Sequence, residues 1–182
     1  MDQKGTAIKS LLASIERLHG PDGLRKVLDV VPREWREKIE GPILAVGWYD
    51  TRIVGAIHVG VRDVLGGGDF RVSKPIGREG SRIDFGGVYR LLLRAVQYDT
   101  IWDRIERAWE AYNSHGQARW ISRRHGSAIG VVSGVEGFND GQWWSIAGRC
   151  EMMLEMAGAK GTSVEAIEMA HDHAKIEAIY VE

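Results

Sequence analysis

The segment Tyr98 to Tyr112 constrains the fold more than any other part of the chain. Its apolar residues recur every three or four positions, and acidic and basic residues fill the opposite face. This pattern is typical of an amphipathic α-helix that buries one side. The buried side consists of Tyr98, Ile101, Trp102, Ile105, Ala108, Trp109 and Tyr112. Because this stripe is wide and rich in large aromatic rings, we expect it to cover a sheet.

The residues after Gly116 have the character of a β-β-α-β-β unit. Short runs over 119–124 and 127–133 flank His125-Gly126, which indicates a hairpin with a glycine turn. The apolar spacing over 142–157 predicts a helix with Gly158 as its C-cap. Alternation over 175–181 predicts a strand. The residues 162–170 fit a helix, through a capping box, and a hairpin strand equally well.

The preceding half of the chain is predicted to be mainly helical. Amphipathic spacing predicts a helix over 6–19 that ends at Gly20-Pro21, a second short helix after it, and a third over 32–39 that begins at Pro32. The apolar residues within 43–65 fit a helix better than a strand. We expect a loop or a broken short helix over 75–80 and a helix over 88–96.

Length and patterning together give the fold class. A chain of 182 residues suits one domain, residues 1–182, with a mainly helical part over 1–115 and the β-β-α-β-β part over 116–182. The predicted class is therefore α+β, with a helical N-terminal half packed on a C-terminal antiparallel β-β-α-β-β unit. The formal net charge of −1 does not favour a nucleic-acid or membrane partner.

The single cysteine and the N-terminus predict a cytoplasmic location. Cys150 alone cannot form an internal disulfide, which fits a reducing compartment. The first residues lack the apolar core of a secretory signal, and no apolar run approaches the roughly 20 residues of a membrane span.

The order of elements resembles the haem nitric-oxide-binding domain and its relative, the vinyl-reductase-type ligand domain. A closer resemblance is to a bacterial, mainly myxobacterial, family of uncharacterised proteins. The motifs that carry it are Trp48-Tyr49, Tyr89-Arg90, Trp102 with Trp109-x-x-Tyr112-x-x-x-Gly116, and the helix that contains Gly148 and ends at Ala157-Gly158. This resemblance covers nearly the whole chain and favours a strand over 162–170.

The resemblance implies ligand sensing or signalling, without a defined reaction. In the haem-binding relatives a helical histidine ligates the iron, and a Tyr-x-Ser-x-Arg motif holds the propionates. Here Tyr112-Asn113-Ser114 matches the start of that motif, but Gly116 stands in the arginine position. No histidine occurs between His58 and His115, where the ligating helix is expected. We therefore expect no haem and no other cofactor.

The remaining chemical motifs do not predict an enzyme. His171-x-His173 has metal-like spacing, but its natural third ligand, His125, is expected at the opposite end of the sheet, so we interpret the pair as a solvated turn. The glycines 66–68 lack the residues of a phosphate-binding loop, and no serine has the nucleophile-elbow motif. Cys150 lies on the apolar side of its helix and is interpreted as a buried, unreactive thiol.

The aromatic residues give the functional hypothesis. They form either simple core or the wall of a largely apolar pocket between helices and sheet. The candidate pocket residues are Trp48, Tyr89, Trp102, Trp109 and Tyr112. We predict a non-catalytic small-molecule-binding or signal-input module with a small apolar ligand, and as the alternative a protein-interaction or scaffolding protein without a ligand. A homodimer is expected, since closed two-fold dimers are the commonest oligomers.

Overall fold

The computed structural model describes residues 1–86 and 98–181. Helices occupy most of the described residues before Gly116, and an antiparallel sheet with one helix follows, so the predicted α+β class is confirmed. In chain order the elements are β1 Asp2–Lys4, α1 Gly5–Val30, α2 Arg33–Glu40, β2 Trp48–Asp50, α3 Thr51–Leu65, a short 3-10 helix Phe70–Val72, α4 Ser73–Asp84, α5 Tyr98–Tyr112, β3 Gln117–Arg124, β4 Ser127–Ser133, α6 Asp140–Ala157, β5 Lys160–Met169 and β6 His173–Val181.

Local sequence signals set most of the helix ends. α1 is interrupted at Gly20, whose φ of 73° lies outside the helical region, as the Gly20-Pro21 pair predicts. Asp50 caps α3 through a hydrogen bond from the Arg52 amide. A capping box between Asn139 and Gln142 begins α6 at Asp140, two residues before the predicted start. α6 ends at Gly158 in the left-handed conformation, as predicted.

The prediction of a loop or broken short helix over 75–80 was wrong, because these residues belong to the continuous helix α4. Pro75 lies in the first turn, where a missing amide proton costs nothing. Gly77 and Gly80 permit close contact with α6 and with the side chain of Arg149. Tertiary packing therefore stabilises a helix whose composition is unfavourable. The predicted helix over 88–96 lies outside the described residues.

Charged side chains join α4 to α6 and to β5. Lys74 lies 2.9 Å from Glu151 and 2.7 Å from Glu165, and Arg78 pairs with both Glu151 and Glu155. A carboxylate oxygen of Glu151 also accepts a hydrogen bond from the Val164 amide. These pairs fix α6 between the helical half and the sheet.

The four-stranded sheet has the order β3-β4-β6-β5 and is antiparallel throughout. The hairpin predicted around Gly126 is confirmed, with that glycine at a φ of 76°. The residues 162–170, for which helix and strand both remained open, lie in strand β5 up to Met169, as the resemblance favoured. Two short strands not expected from the sequence, β1 and β2, pair antiparallel beside α1.

Two hydrophobic cores organise the described residues. One contains the apolar faces of α1, α3 and α4, with Ile8, Ile15 and Ile57 fully buried. The other lies between the sheet, α5 and α6, and contains Trp102, Trp143 and Leu154. Within the described residues, no helix is long and apolar enough to cross a membrane.

Candidate ligand-binding cavity

A cavity of about 130 Å³ lies where the two cores meet. Leu11 and Val54 reach it from the helical core, and Ile105, Val132 and Phe138 reach it from the sheet core. An apolar cavity of roughly 150 Å³ is large enough for benzene in another protein. The space is therefore suited to a compact molecule about the size of one ring.

Trp120 of β3 shapes the wall on the sheet side. It lies over Gly130 of the neighbouring strand, where a Cβ atom would come within 3.0 Å of the indole ring. The strand pairing shifts register between Trp120 and Ser122, which leaves Ile121 in a bulge. The Trp120 amide donates to the Glu106 carboxylate of α5 at 2.8 Å. Sheet and helix thus hold this ring against the cavity.

A chain of hydrogen bonds ends at an unpaired, buried oxygen of Gln3, a residue that lines the cavity. The Asn113 side chain donates to the Trp109 carbonyl at 3.0 Å, so its own oxygen is the acceptor for the Gln3 amide group at 2.9 Å. This arrangement leaves Gln3 Oε1 buried without a partner. Gln3 lines the cavity and is only 8% exposed.

The indole of Trp109 contains an unpaired hydrogen-bond donor, where Gln3 has an unpaired acceptor. Its Nε1 atom is buried and has no hydrogen-bond partner. The residue is only 7% exposed and lines the same cavity. Native proteins leave few buried donors or acceptors unpaired. Two residues that line the cavity, Gln3 and Trp109, therefore each bury one polar atom without a protein partner.

The Arg149 side chain of α6 lines the cavity, and its positive charge is paired with a carboxylate. Its guanidinium lies 2.7 Å from the buried Asp84 carboxylate at the end of α4. The same group donates to Ser10 Oγ of α1 at 3.0 Å. One side chain thereby joins α1, α4 and α6 beside the cavity.

Three titratable side chains on the cavity wall, His58, Tyr112 and Cys150, remain uncharged at neutral pH, while the cationic residues Arg119 and Arg149 also line it. Burial, with a further contribution from the positive charge of Arg149, lowers the pKa of His58 to about 3. Burial raises the pKa of Tyr112 to about 12, assisted by the nearby Asp84 carboxylate. Burial also raises the pKa of Cys150 to about 12. His58 Nδ1 lies 2.9 Å from Ser73 Oγ, which fixes the orientation of the imidazole.

Two of the five candidate residues, Trp109 and Tyr112, line the cavity. Trp102 does not line it: this ring packs at 4.1 Å from the Trp120 ring, on the sheet side of α5. Trp48 lies on β2, 46% exposed, beneath the Lys4 ammonium group. Tyr89 lies outside the described residues.

Gln3, His58 and Arg149 are among the cavity residues that sequence reasoning missed. Gln3 meets Asn113 across 110 positions of chain, and Arg149 meets Ser10 across 139. No local pattern indicates contacts of such separation. A single buried histidine on an apolar helix face also has no distinguishing spacing.

The turn histidines lie at opposite ends of the sheet, as expected. Strand β4 begins beside Ile179 and ends beside His173, so the turn at His125 and the turn at His171 are separated by its full length. His173 Nδ1 lies 2.7 Å from the Asp172 carboxylate in the exposed turn.

Comparison with known proteins gave matches by structure alone. No family model and no curated protein sequence matches the chain. The Fe(II) unliganded H-NOX protein from K. algicida superimposes with a TM-score of 0.69 at 12% identity, covering 98% of this chain and 97% of that one. A point variant of the T. tengcongensis H-NOX protein gives 0.63 at 13% identity, with 98% of both chains covered. An oxygen-binding H-NOX domain related to soluble guanylate cyclases gives 0.62 at 14% identity, covering 98% and 95%.

These likenesses extend over almost the entire chain and include both halves. The identities are too low to show more than architecture. The protein has the fold of H-NOX domains, in agreement with the resemblance to haem nitric-oxide-binding domains.

Proposed function

We propose that this protein is a non-catalytic small-molecule-binding module that serves as a signal input. The observation that carries the proposal is the cavity of about 130 Å³ between the helical core and the sheet core. A ligand there contacts both halves at once, so its binding favours one arrangement of the halves over others. The likeness to an oxygen-binding H-NOX domain related to soluble guanylate cyclases supports a sensor function for this protein.

The chemistry of the wall supports binding over catalysis. The Cys150 thiol is protonated, because burial raises its pKa to about 12, and a protonated thiol is a poor nucleophile. His58, which lines the same cavity, is neutral far below physiological pH, because burial lowers its pKa to about 3. A general acid or base works best with a pKa near the operating pH, which neither group has.

The cavity residues do not fit haem, although the related structures include haem proteins. The cavity volume of about 130 Å³ is far below the roughly 300–1,000 Å³ of pockets that bind drug-sized ligands. A porphyrin is at least as large as such a ligand. The helix α5 contains no histidine, and Ile105 and Trp109 occupy its cavity side. The thiolate that could replace histidine is disfavoured at Cys150.

A second near match to the propionate-binding motif lies on β3. Trp120, Ser122 and Arg124 have the Tyr-x-Ser-x-Arg spacing, with tryptophan in the tyrosine position. This match lies on β3, whereas Tyr112-Asn113-Ser114 lies at and just after the end of α5. Arg124 is exposed at the hairpin turn, and the Trp120 ring occupies the space beside Gly130. The Trp120 ring therefore fills the space at this position of the motif.

A second candidate function is protein interaction. The loop before β2 exposes Leu44 and Val46, at 65% and 80%, next to the half-exposed Trp48. Exposed apolar patches often mark interaction sites. We rank this function below ligand binding because the cavity has both a defined size and polar groups placed on its wall.

The proposed function is tested by native mass spectrometry of protein purified from its own host. We expect a bound small molecule in the unaltered protein and its loss in Ala108→Leu, which fills the cavity from α5. Ala111→Leu is the matched control, because it adds the same side chain at an exposed position of the same helix. Equal ligand retention by both variants contradicts the proposal.

We further propose that the protein is cytoplasmic and homodimeric. Its single cysteine is buried and free, which fits a reducing compartment. Closed two-fold dimers are the commonest oligomers. Light scattering at micromolar concentration should give twice the mass of the chain, and the mass of one chain would contradict the dimer.

A further inference from the structure

We infer that two copies of the chain pair through the outer face of the four-stranded sheet. The name outer face is used for the side of the sheet turned away from α5 and α6, which pack on its other side. This inference rests on the homodimer proposed above and assigns its interface. It derives from an apolar centre on the outer face and from the division of charge between its two edges.

The centre of the outer face is apolar. Ile129 and Val131 of β4 alternate with residues that are buried in the sheet core. On β6, Ile179 is 54% exposed and Val181 is 62% exposed, again in alternation with buried residues. Ile129 lies diagonal to Ile179 in the strand pairing, so the two side chains are neighbours on the face. β-Branched side chains at such positions are typical of what two packed sheets bury between them.

The edge of the outer face at β3 is basic. Arg119 lies opposite Val131, and Arg124 lies opposite Ser127, so both arginines share the face with the apolar centre. Both are exposed, and β3 is the edge strand of the sheet. Neither arginine forms an ion pair with any residue that the structure describes. Two positive charges therefore remain uncompensated at this edge.

The opposite half of the outer face is acidic. Glu177 of β6 lies directly across from Glu165 of the other edge strand, β5. Like charges directly across from each other on neighbouring strands are unfavourable. Lys74 compensates Glu165 at 2.7 Å, but none of the residues in the described ranges pairs with Glu177. This half of the face therefore offers a carboxylate that lacks a cation.

Two lysines on these strands leave the polarity of the face unchanged. Lys175 of β6 is paired with Glu168 of β5 at 3.2 Å, so these two charges offset each other. Lys160 lies opposite Val181, beyond the row in which β4 begins. It is therefore outside the rows that all four strands share.

The division of charge makes the outer face complementary to itself. Sheets that pack face to face lie about 10 Å apart with their strands roughly aligned. A two-fold axis that runs between the sheets and parallel to the strands places β3 over β5 of the other copy, and β4 over β6. Each basic edge then faces an acidic half, twice in one closed dimer. An axis perpendicular to the strands would place β3 over β3 and oppose like charges.

The position of the interface is tested by sedimentation velocity of the full chain at micromolar concentrations. Ile179→Lys places a charge in the apolar centre, where burial would remove its hydration without a counter-charge. We expect the dimer dissociation constant to rise at least about 10-fold. Leu44→Lys is the matched control, because Leu44 is also exposed, at 65%, but lies on the loop before β2. It should leave the dissociation constant unchanged.

Two double variants test the arrangement of charges. Arg119→Glu with Arg124→Glu makes the β3 edge acidic, and Glu168→Lys with Glu177→Lys makes the opposite half basic. Each protein alone opposes like charges across the interface and should remain monomeric. In an equimolar mixture the two should form a heterodimer, because both of its charge contacts again join opposite signs.

The outcomes separate the interface from the homodimer itself. Unaltered protein that sediments as a monomer would overturn both. A dimer that survives Ile179→Lys, or that dissociates on Leu44→Lys instead, would overturn this interface and leave the homodimer standing. Double variants that remain monomeric when mixed would overturn the packing of β3 over β5. The ligand found in host-purified protein is a separate readout, so none of these results decides the binding function.

Discussion

Gly77 of α4 lies so close to the backbone of Ser145 in α6 that a Cβ atom at position 77 would overlap the Ser145 carbonyl oxygen. The contact is reciprocal, because a Cβ atom at Gly148 of α6 would overlap the Lys74 carbonyl oxygen of α4. Two glycines thus allow the helices to touch backbone to backbone. α6 supplies Arg149 and Cys150 to the cavity, so this contact determines where its helical and sheet walls meet.

Gly77→Ala should lower the free energy of unfolding by about 1–3 kcal/mol. Overpacking of a close contact costs about this much, even after the roughly 1 kcal/mol that alanine gains over glycine in a helix. Urea denaturation measures the change. Gly41→Ala is the control, because its added Cβ atom would lie 3.7 Å from the nearest atom, an ordinary contact. A Gly77→Ala protein as stable as this control would show that the helices separate without cost.

Trp109→Ala should destabilise the protein less than Trp143→Ala. Trp143 is fully buried in solid core, and truncation of such a ring costs about 3–5 kcal/mol. Trp109 already faces open space and makes no indole hydrogen bond that would be lost. Denaturation of the two variants side by side measures the difference. Equal losses would indicate that the space beside Trp109 closes in solution.

Stability should fall as the pH drops below 6.5, and His58 should account for part of the fall. Its folded pKa, lowered to about 3, lies below the unfolded value of 6.5, so the unfolded chain binds the proton first. The contribution is complete above pH 6.5 and is lost as the pH falls towards 3. Between pH 7 and 5.5 we expect a loss of about 1 kcal/mol from this residue.

The His58→Gln variant isolates this contribution. Glutamine can still bond to Ser73 Oγ but does not titrate, so the difference in unfolding free energy between pH 7 and 5.5 should shrink by about 1 kcal/mol. Urea titrations at both pH values give the comparison. An unchanged difference would indicate that the imidazole is solvated in the native protein.

The purified protein should not retain haem after haem supplementation and gel filtration. The α5 helix has no histidine, and the cavity is too small for a porphyrin. Absorption spectroscopy checks this outcome, with an oxygen-binding H-NOX domain carried through the same procedure as the positive control. A Soret band that survives gel filtration in this protein would contradict the expectation.

Elements governed by short-range patterns were predictable from the sequence. The apolar repeat of Tyr98–Tyr112 specifies α5 because residues three and four apart share a helix face. Gly126 specifies the hairpin and Gly158 the end of α6, because each adopts a left-handed conformation that other residues resist. The surroundings of Trp102 were not predictable in this way. Its ring packs against Trp120 and Tyr180 of the sheet, since α5 lies along β3.

Long-range contacts decided the rest. α4 is a helix because Gly77 and Gly148 allow α6 to approach it, and these residues are far apart in the chain. The hydrogen bonds from Gln3 to Asn113 and from Asn113 to Trp109 form only because the folded chain brings β1 beside the end of α5. The sequence by itself determined the periodic elements and their turns, because those depend on neighbouring residues. The tertiary structure alone decided which faces meet, where they leave a space and which buried polar atoms remain unpaired.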